Sequence, residues 1–298
     1  MLNAIIIGCG DIGLRAAHQL QAKHYQITAV VRTMESARRL TMLGFDATTI
    51  DLDHPEPLLP QIPANSLIFY FAAPTETGEQ DLRMKNFLNA LSSSATQPER
   101  IIYISTTAVY ADSKGAWVNE QTPTQPSNAR GKRRLDAEQQ LIEFQKDQPV
   151  SVSILRVTGI YSANRLPFRQ IKAQQPILKL DIAPFSNRIH ADDLTSACIA
   201  SALNTDKPTA IFNVSDGNPG SISQYFKEVA LTFKLQPPPE IDWKTAQQTL
   251  SPGMLSYLRE SKRIDSRLMM TELGVKLRYP RLELGLKQCV TELEQNRN

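Results

Sequence analysis

Ala4-Ile5-Ile6-Ile7-Gly8-Cys9-Gly10-Asp11-Ile12-Gly13-Leu14 is the stretch on which the reading of this chain turns. A short apolar, β-branched run leads straight into glycines at G-x-G-x-x-G spacing. Leu14 to Leu20 then carries apolar residues three and four apart. Strand, glycine turn and helix in that order make the phosphate loop of a dinucleotide-binding βαβ unit. Gly8 allows the tight turn, Gly10 lets backbone approach a pyrophosphate, and Gly13 lets the helix pack close to the strand. Asp11 and Ile12 fall in the first helical turn, where free N–H groups and a partial positive charge face the phosphates. A bare strand-to-helix turn needs one glycine, not three.

The next strand, expected over 26–31, ends on Arg32. Folds that prefer NAD place Asp or Glu there, to bond the ribose 2′-hydroxyl. A guanidinium is always charged and donates in a fork, which suits a 2′-phosphate. Arg32, assisted by Arg38 and Arg39 from the following helix, therefore favours NADP(H) over NAD(H). In the alternative, Arg32 is solvated and Glu35 serves the ribose.

Further strands are expected over 47–50, 67–71, 100–104, 151–155 and 210–214, with helical patterns between most of them. The crossover from Asp53 to Ala64 is proline-rich and abbreviated. This alternation implies right-handed βαβ units, hence an α/β fold with a Rossmann-type doubly wound parallel sheet. After Arg156 the rhythm breaks. Residues 1–165 read as the dinucleotide-binding domain, with a returning helix and strand at 190–215. The rest of 166–298 reads as a smaller, mostly C-terminal, substrate-binding domain.

Composition excludes several functions. With 33 basic and 30 acidic residues among 298, a net charge of +3 gives no case for nucleic acid or a membrane surface. No apolar run approaches the roughly 20 residues of a membrane span, and no secretion signal is evident. Cys9, Cys198 and Cys289 have no metal-ligand spacing, so no metal site is expected and the compartment reads as cytoplasmic.

Several segments now resemble the extended short-chain dehydrogenase/reductases, the NAD-dependent epimerase/dehydratase group. They are the glycine loop; Asp51-Leu52; Phe71-Ala72-Ala73; Ser105-Thr106-Thr107-Ala108-Val109-Tyr110; Arg156-Val157-Thr158-Gly159-Ile160-Tyr161; and Arg188-Ile189-His190-Ala191-Asp192-Asp193. The resemblance implies Asp51 and Leu52 along the adenine, and Ala72 and Ala73 along the ribose and diphosphate. Ser105 and Thr106 reach the nicotinamide end. Thr106 stands where the family places its catalytic serine, and a homodimer is the family expectation.

The family's chemistry uses a tyrosine and a lysine four residues apart on a helix, where the ammonium lowers the phenol pKa. Tyr110 and Lys114 match that spacing, but they run into Gly115 and a polar loop where no helix holds them. Tyr110 then packs beneath the site and Lys114 is solvated. The helix that should carry the pair starts near Ser127. Aligned on Glu138, it puts Arg130 and Arg134 at the tyrosine and lysine positions, and a guanidinium gives up no proton near neutrality. The two arginines could hold a substrate phosphate or carboxylate; otherwise they are a solvated basic face. Tyr110 and His190 remain as proton donors, although His190 also suits a structural place before the helix.

Two functions follow. One is an oxidoreductase, epimerase or dehydratase acting on a small polar, phosphorylated or nucleotide-linked substrate. The other is a non-catalytic NADP(H)-binding redox sensor or regulatory protein.

Overall fold

The computed structural model describes residues 2–204 and 206–295; the last positions of the expected second domain lie outside them. The central sheet is built from β1 (Leu2–Ile7), β2 (Tyr25–Val31), β3 (Asp46–Thr49), β4 (Leu67–Tyr70), β5 (Arg100–Thr106), β6 (Ser151–Val157) and β7 (Thr209–Val214). Their order is β7-β6-β5-β4-β1-β2-β3, every neighbour parallel. The expected strands all occur, to within two residues at each end.

Period-two alternation decides which side chains meet which layer. In β1, Ala4 and Ile6 join one core cluster while Ile5 and Ile7 join the other. Full burial of one such isoleucine contributes roughly 1.5–3 kcal/mol. Helices α1 (Asp11–Gln21), α2 (Met34–Met42) and α5 (Ala191–Leu203) cover the first face; α3 (Leu82–Ser92) and α4 (Ala129–Asp147) cover the second. Both sheet faces are therefore buried, as a doubly wound fold requires.

Residues 50–66 connect β3 to β4 with no helix. Pro55, Pro57, Pro60 and Pro63 interrupt that segment, and each removes a backbone donor. The long helix α4 begins at Ala129, two residues beyond Ser127, where the Asn128 side chain accepts the Gly131 N–H at 2.9 Å and caps it.

Beyond the sheet the strands are short and paired in twos: Gly159–Tyr161 with Arg188–His190, Trp117–Val118 with Arg263–Ile264, and Phe185–Ser186 with Gly220–Ser221. Helices α6 (Ile222–Thr232) and α7 (Leu282–Gln295) enclose a separate cluster of Tyr161, Tyr225, Phe226, Leu286 and Cys289. All three cysteines are free and buried. No helix among the described residues is long and apolar enough to cross a membrane, and no group of His, Cys, Asp and Glu among them could hold a metal.

Candidate functional site: a dinucleotide cleft lined by arginines

The glycine loop has a specific cause at each glycine. Gly8 sits at φ +88°, and a Cβ there would come within 2.5 Å of the Ala72 nitrogen. The loop after β1 thus lies directly on the end of β4. A Cβ on Gly13 would meet the Gly8 carbonyl and the Ile6 side chain, each at 3.1 Å, so the glycine lets α1 approach its strand. Gly10 faces open space. No side chain caps α1, which leaves its first N–H groups to an incoming oxyanion. These residues fit a dinucleotide pyrophosphate.

Asp11 could oppose such an anion, but its carboxylate is turned into a network. Arg15 Nε donates to it at 3.0 Å, Arg165 Nε at 2.8 Å and the Ser162 hydroxyl at 3.3 Å. Burial would raise its pKa; the bonds from Arg165 and Arg15 outweigh that and hold the carboxyl below its usual range. Arg15 also pairs with Asp192 and Glu292, tying α1 to α5 and α7.

Where the adenine is expected, Arg32 is exposed just beyond β2. Asp51 is exposed and accepts the Asp53 N–H at 3.0 Å, while Leu52 is buried. Two side chains of α3, not anticipated from the sequence, fasten these loops. Arg83 grips Asp53 with two bonds of 2.6 and 2.7 Å and reaches the Ala73 carbonyl at 3.1 Å; Asn86 donates to the Leu52 carbonyl at 3.0 Å. Their spacing on one helix turn, in a chain lacking the third crossover helix, was the available signal.

From Ala73 onward lies a cleft of about 940 Å³, whose lining includes Thr106, Arg130, Arg134, Arg188 and Lys262. Thr106 is half-buried and its hydroxyl accepts the Ala108 N–H at 3.2 Å. Ser105 is turned down into the protein and donates to Glu138, which also binds Arg156 through both carboxylate oxygens, the closest contact being 2.8 Å. That ion pair is almost fully buried, so Ser105 is bonded to the core network beneath the cleft.

Arg130 is exposed on the cleft wall; Arg134, one turn on, donates to the Ile104 carbonyl at 2.9 Å and the Tyr103 hydroxyl at 3.2 Å. Gly131 between them has no Cβ to hold α4 away from the Ala108 carbonyl. The two arginines thereby reach the same wall as Thr106. Arg133 is different: it is buried and donates to the Gly78 carbonyl at 2.6 Å. From the C-terminal region Lys262 donates to the Tyr110 carbonyl and to Glu260, both at 2.9 Å, and Glu260 accepts from Ser127 and Asn128 at the start of α4. No sequence pattern announced that link.

Two candidate proton donors are placed away from the cleft. Tyr110 is fully buried; its hydroxyl is 2.8 Å from Asn213 and accepts from Arg156 at 3.0 Å. Lys114, with φ +49°, lies in a turn, so the literal Tyr110–Lys114 match shares no helix. His190 is also fully buried. Its Nδ1 accepts the Asp192 N–H at 3.2 Å, capping α5, and its Nε2 faces the Gln288 carbonyl oxygen at 3.1 Å. Burial lowers its pKa, and the acceptor role of Nδ1 fits the neutral Nε2–H tautomer. Neither side chain can touch a molecule in the cleft as it stands.

Comparison with known proteins agrees with this fold. The sequence model of the NAD dependent epimerase/dehydratase family matches residues 4–215. Protein YeeZ of Escherichia coli (strain K12) is 24% identical over 286 residues, covering 94% of this chain and 97% of that protein. A functionally unknown conserved protein from Silicibacter pomeroyi has a similar structure, with a TM-score of 0.82 and 27% identity over 98% of this chain and 99% of its own. MoeE5, solved with UDP-glucose and NAD, shares the fold at a TM-score of 0.76 and 20% identity, covering 99% of this chain and all of its own.

Proposed function

The chain belongs to the NAD-dependent epimerase/dehydratase family, and from that premise we propose that it is an NADP(H)-binding enzyme of the epimerase, dehydratase or reductase type. Its substrate is a small polar molecule, phosphorylated or nucleotide-linked, held in the cleft that runs from Ala73 past Thr106 to Lys262. The carrying observation is the loop of Gly8, Gly10 and Gly13, folded against Ala72 with no side chain capping α1. The bound nicotinamide would supply hydride transfer. Arg32 supports the phosphorylated cofactor through a charged fork placed beyond β2.

Within this reading the Thr106 hydroxyl orients the reacting oxygen and Arg130 meets a substrate anion. Arg134 adds fixed positive charge but donates no proton near neutrality. With Tyr110 and His190 enclosed, the proton comes from water or from the substrate itself. The UDP-glucose held by MoeE5 supports a nucleotide-linked sugar as the first class to try.

One observation favours a second reading, a non-catalytic NADP(H)-binding sensor. Aligned with the family on Glu138, Arg130 and Arg134 fall at the helix positions of its proton relay, and neither gives up a proton near neutrality. Titrating NADPH and NADH by fluorescence, then assaying turnover across carbonyl compounds and nucleotide sugars, separates the two. Turnover abolished in a Thr106→Val variant that still binds NADPH supports the enzyme. Tight NADPH binding without turnover on any of these substrates supports the sensor, and absence of NADPH binding overturns both.

A further inference from the structure

Arg83 of α3 has every nitrogen of its guanidinium engaged. Nε and Nη2 hold the two oxygens of Asp53 at 2.6 and 2.7 Å, and Nη1 donates to the carbonyls of Ala73 at 3.1 Å and Pro74 at 3.3 Å. One side chain thus joins the loop after β3 to the loop after β4, where Ala73 and Pro74 line the cleft. The pair is unevenly covered: the Arg83 side chain is 17% exposed and that of Asp53 45%. The exposed carboxylate has acceptor sites left over, whereas the covered guanidinium is committed. Asp53 also lies within electrostatic reach of Arg32. The bonds from Arg83 hold its carboxyl below the usual range, and the Arg32 charge acts in the same direction.

We propose that Arg83 is a positioning residue that sets cofactor choice through Asp53: by cancelling that carboxylate it keeps the Arg32 site open to a 2′-phosphate. This rests on the NADP(H) reading of Arg32. A 2′-phosphate brings close to two negative charges and a 2′-hydroxyl none. An unpaired Asp53 would repel the phosphate and accept from the hydroxyl, the part that Asp or Glu after β2 plays in folds that prefer NAD. With Arg83 across both of its oxygens, two guanidiniums stand against one carboxylate and the positive charge prevails. Arg83 does not grip the phosphate itself, because each of its nitrogens already has a partner in the protein.

The test is fluorescence titration of the full chain with NADPH and with NADH, read as the ratio of the two dissociation constants. Arg83→Gln is expected to cut the preference for NADPH about three- to tenfold, by weakening NADPH while NADH stays equal or tightens. Asp53→Asn should raise that preference by a similar factor. The double variant removes one charge of each sign and should return the ratio to within about twofold of wild type. Arg83→Lys keeps the charge and should retain most of the preference. Equal weakening of both cofactors by Arg83→Gln would make the pair a staple between loops and nothing more. A double variant as poor with NADPH as Arg83→Gln would place Arg83 on the phosphate directly; either result overturns the proposal. Should Arg83→Gln fail to fold, Asp53→Asn carries the comparison, and an unchanged ratio there overturns it as well. A wild-type chain that prefers NADH sinks the NADP(H) reading alone, since the shifts among the variants still decide what Arg83 does. A chain that binds neither cofactor overturns both.

Discussion

Gly131 lets the first turn of α4 rest on the carbonyl of Ala108: any Cβ there would collide with that oxygen and lie 2.7 Å from Pro126. The contact sets how near Arg130 and Arg134 come to Thr106. Gly131→Ala must push the helix outward, and overpacking of this kind costs about 1–3 kcal/mol. Urea denaturation should show that loss while NADPH affinity changes little, since the glycine loop is held by β1, β4 and α1. An unchanged midpoint would mean that α4 does not bear on Ala108.

On the proposed reading, the charge beyond β2 sets cofactor choice. Arg32→Glu should weaken NADPH by at least about tenfold, as one charge-assisted fork is worth roughly 1.5–3 kcal/mol, and should leave NADH equal or tighter. Fluorescence titration of both cofactors measures the ratio. A ratio that stays at the wild-type value would return Arg32 to the solvent and give the ribose to Glu35.

Glu138 and Arg156 form the buried ion pair beneath the cleft. Removing one partner strands the other, which costs about 3–5 kcal/mol. Glu138→Gln should therefore lower thermal stability more than any exposed substitution on α4, with Lys146→Gln as the comparison, since that cation is exposed. Similar melting temperatures for the two variants would contradict the network.

Asp216 gives a pH signature. Burial is the first cause that pushes its carboxyl up, to about 7 from 3.8; Asp193 adds to the rise, while the Asn218 N–H and Arg188 oppose it. Between about pH 4 and pH 7 the folded chain keeps this proton and the unfolded chain releases it. Stability contributed by the group is thus complete below its unfolded pKa and falls as pH rises toward 7, by up to about 4 kcal/mol. In Asp216→Asn that slope should be missing, so the variant gains on wild type at pH 8 relative to pH 5. Parallel stability curves for the two proteins would rule this out.

Much of the fold was readable because local pattern and global architecture agree. In β1, alternation sends Ala4 and Ile6 to one face and Ile5 and Ile7 to the other. The three glycines state their own geometric needs, and the prolines of 50–66 announce the missing helix. The site was less readable, because its contacts join residues far apart in the chain. Lys262 reaches the Tyr110 carbonyl, and Arg188 takes a place that Gly159 leaves free; neither has a periodicity or a motif. Arg130 and Arg134 were found only by aligning on Glu138, whose own role in pairing with Arg156 depends on burial that no local pattern reveals.

The return of β7 to the sheet has a consequence during synthesis. β7 pairs with β6 along its whole length, from Thr209 opposite Val152 to Val214 opposite Val157. Until the ribosome has delivered that segment, β6 is an uncovered edge rich in β-branched residues, and open edges of this kind template association between chains. A nascent chain ending at 165 would hold the entire glycine loop and yet be adhesive. One ending just past 215 covers β6 with β7, the edge strand of the finished sheet, and should sediment less than the shorter fragment.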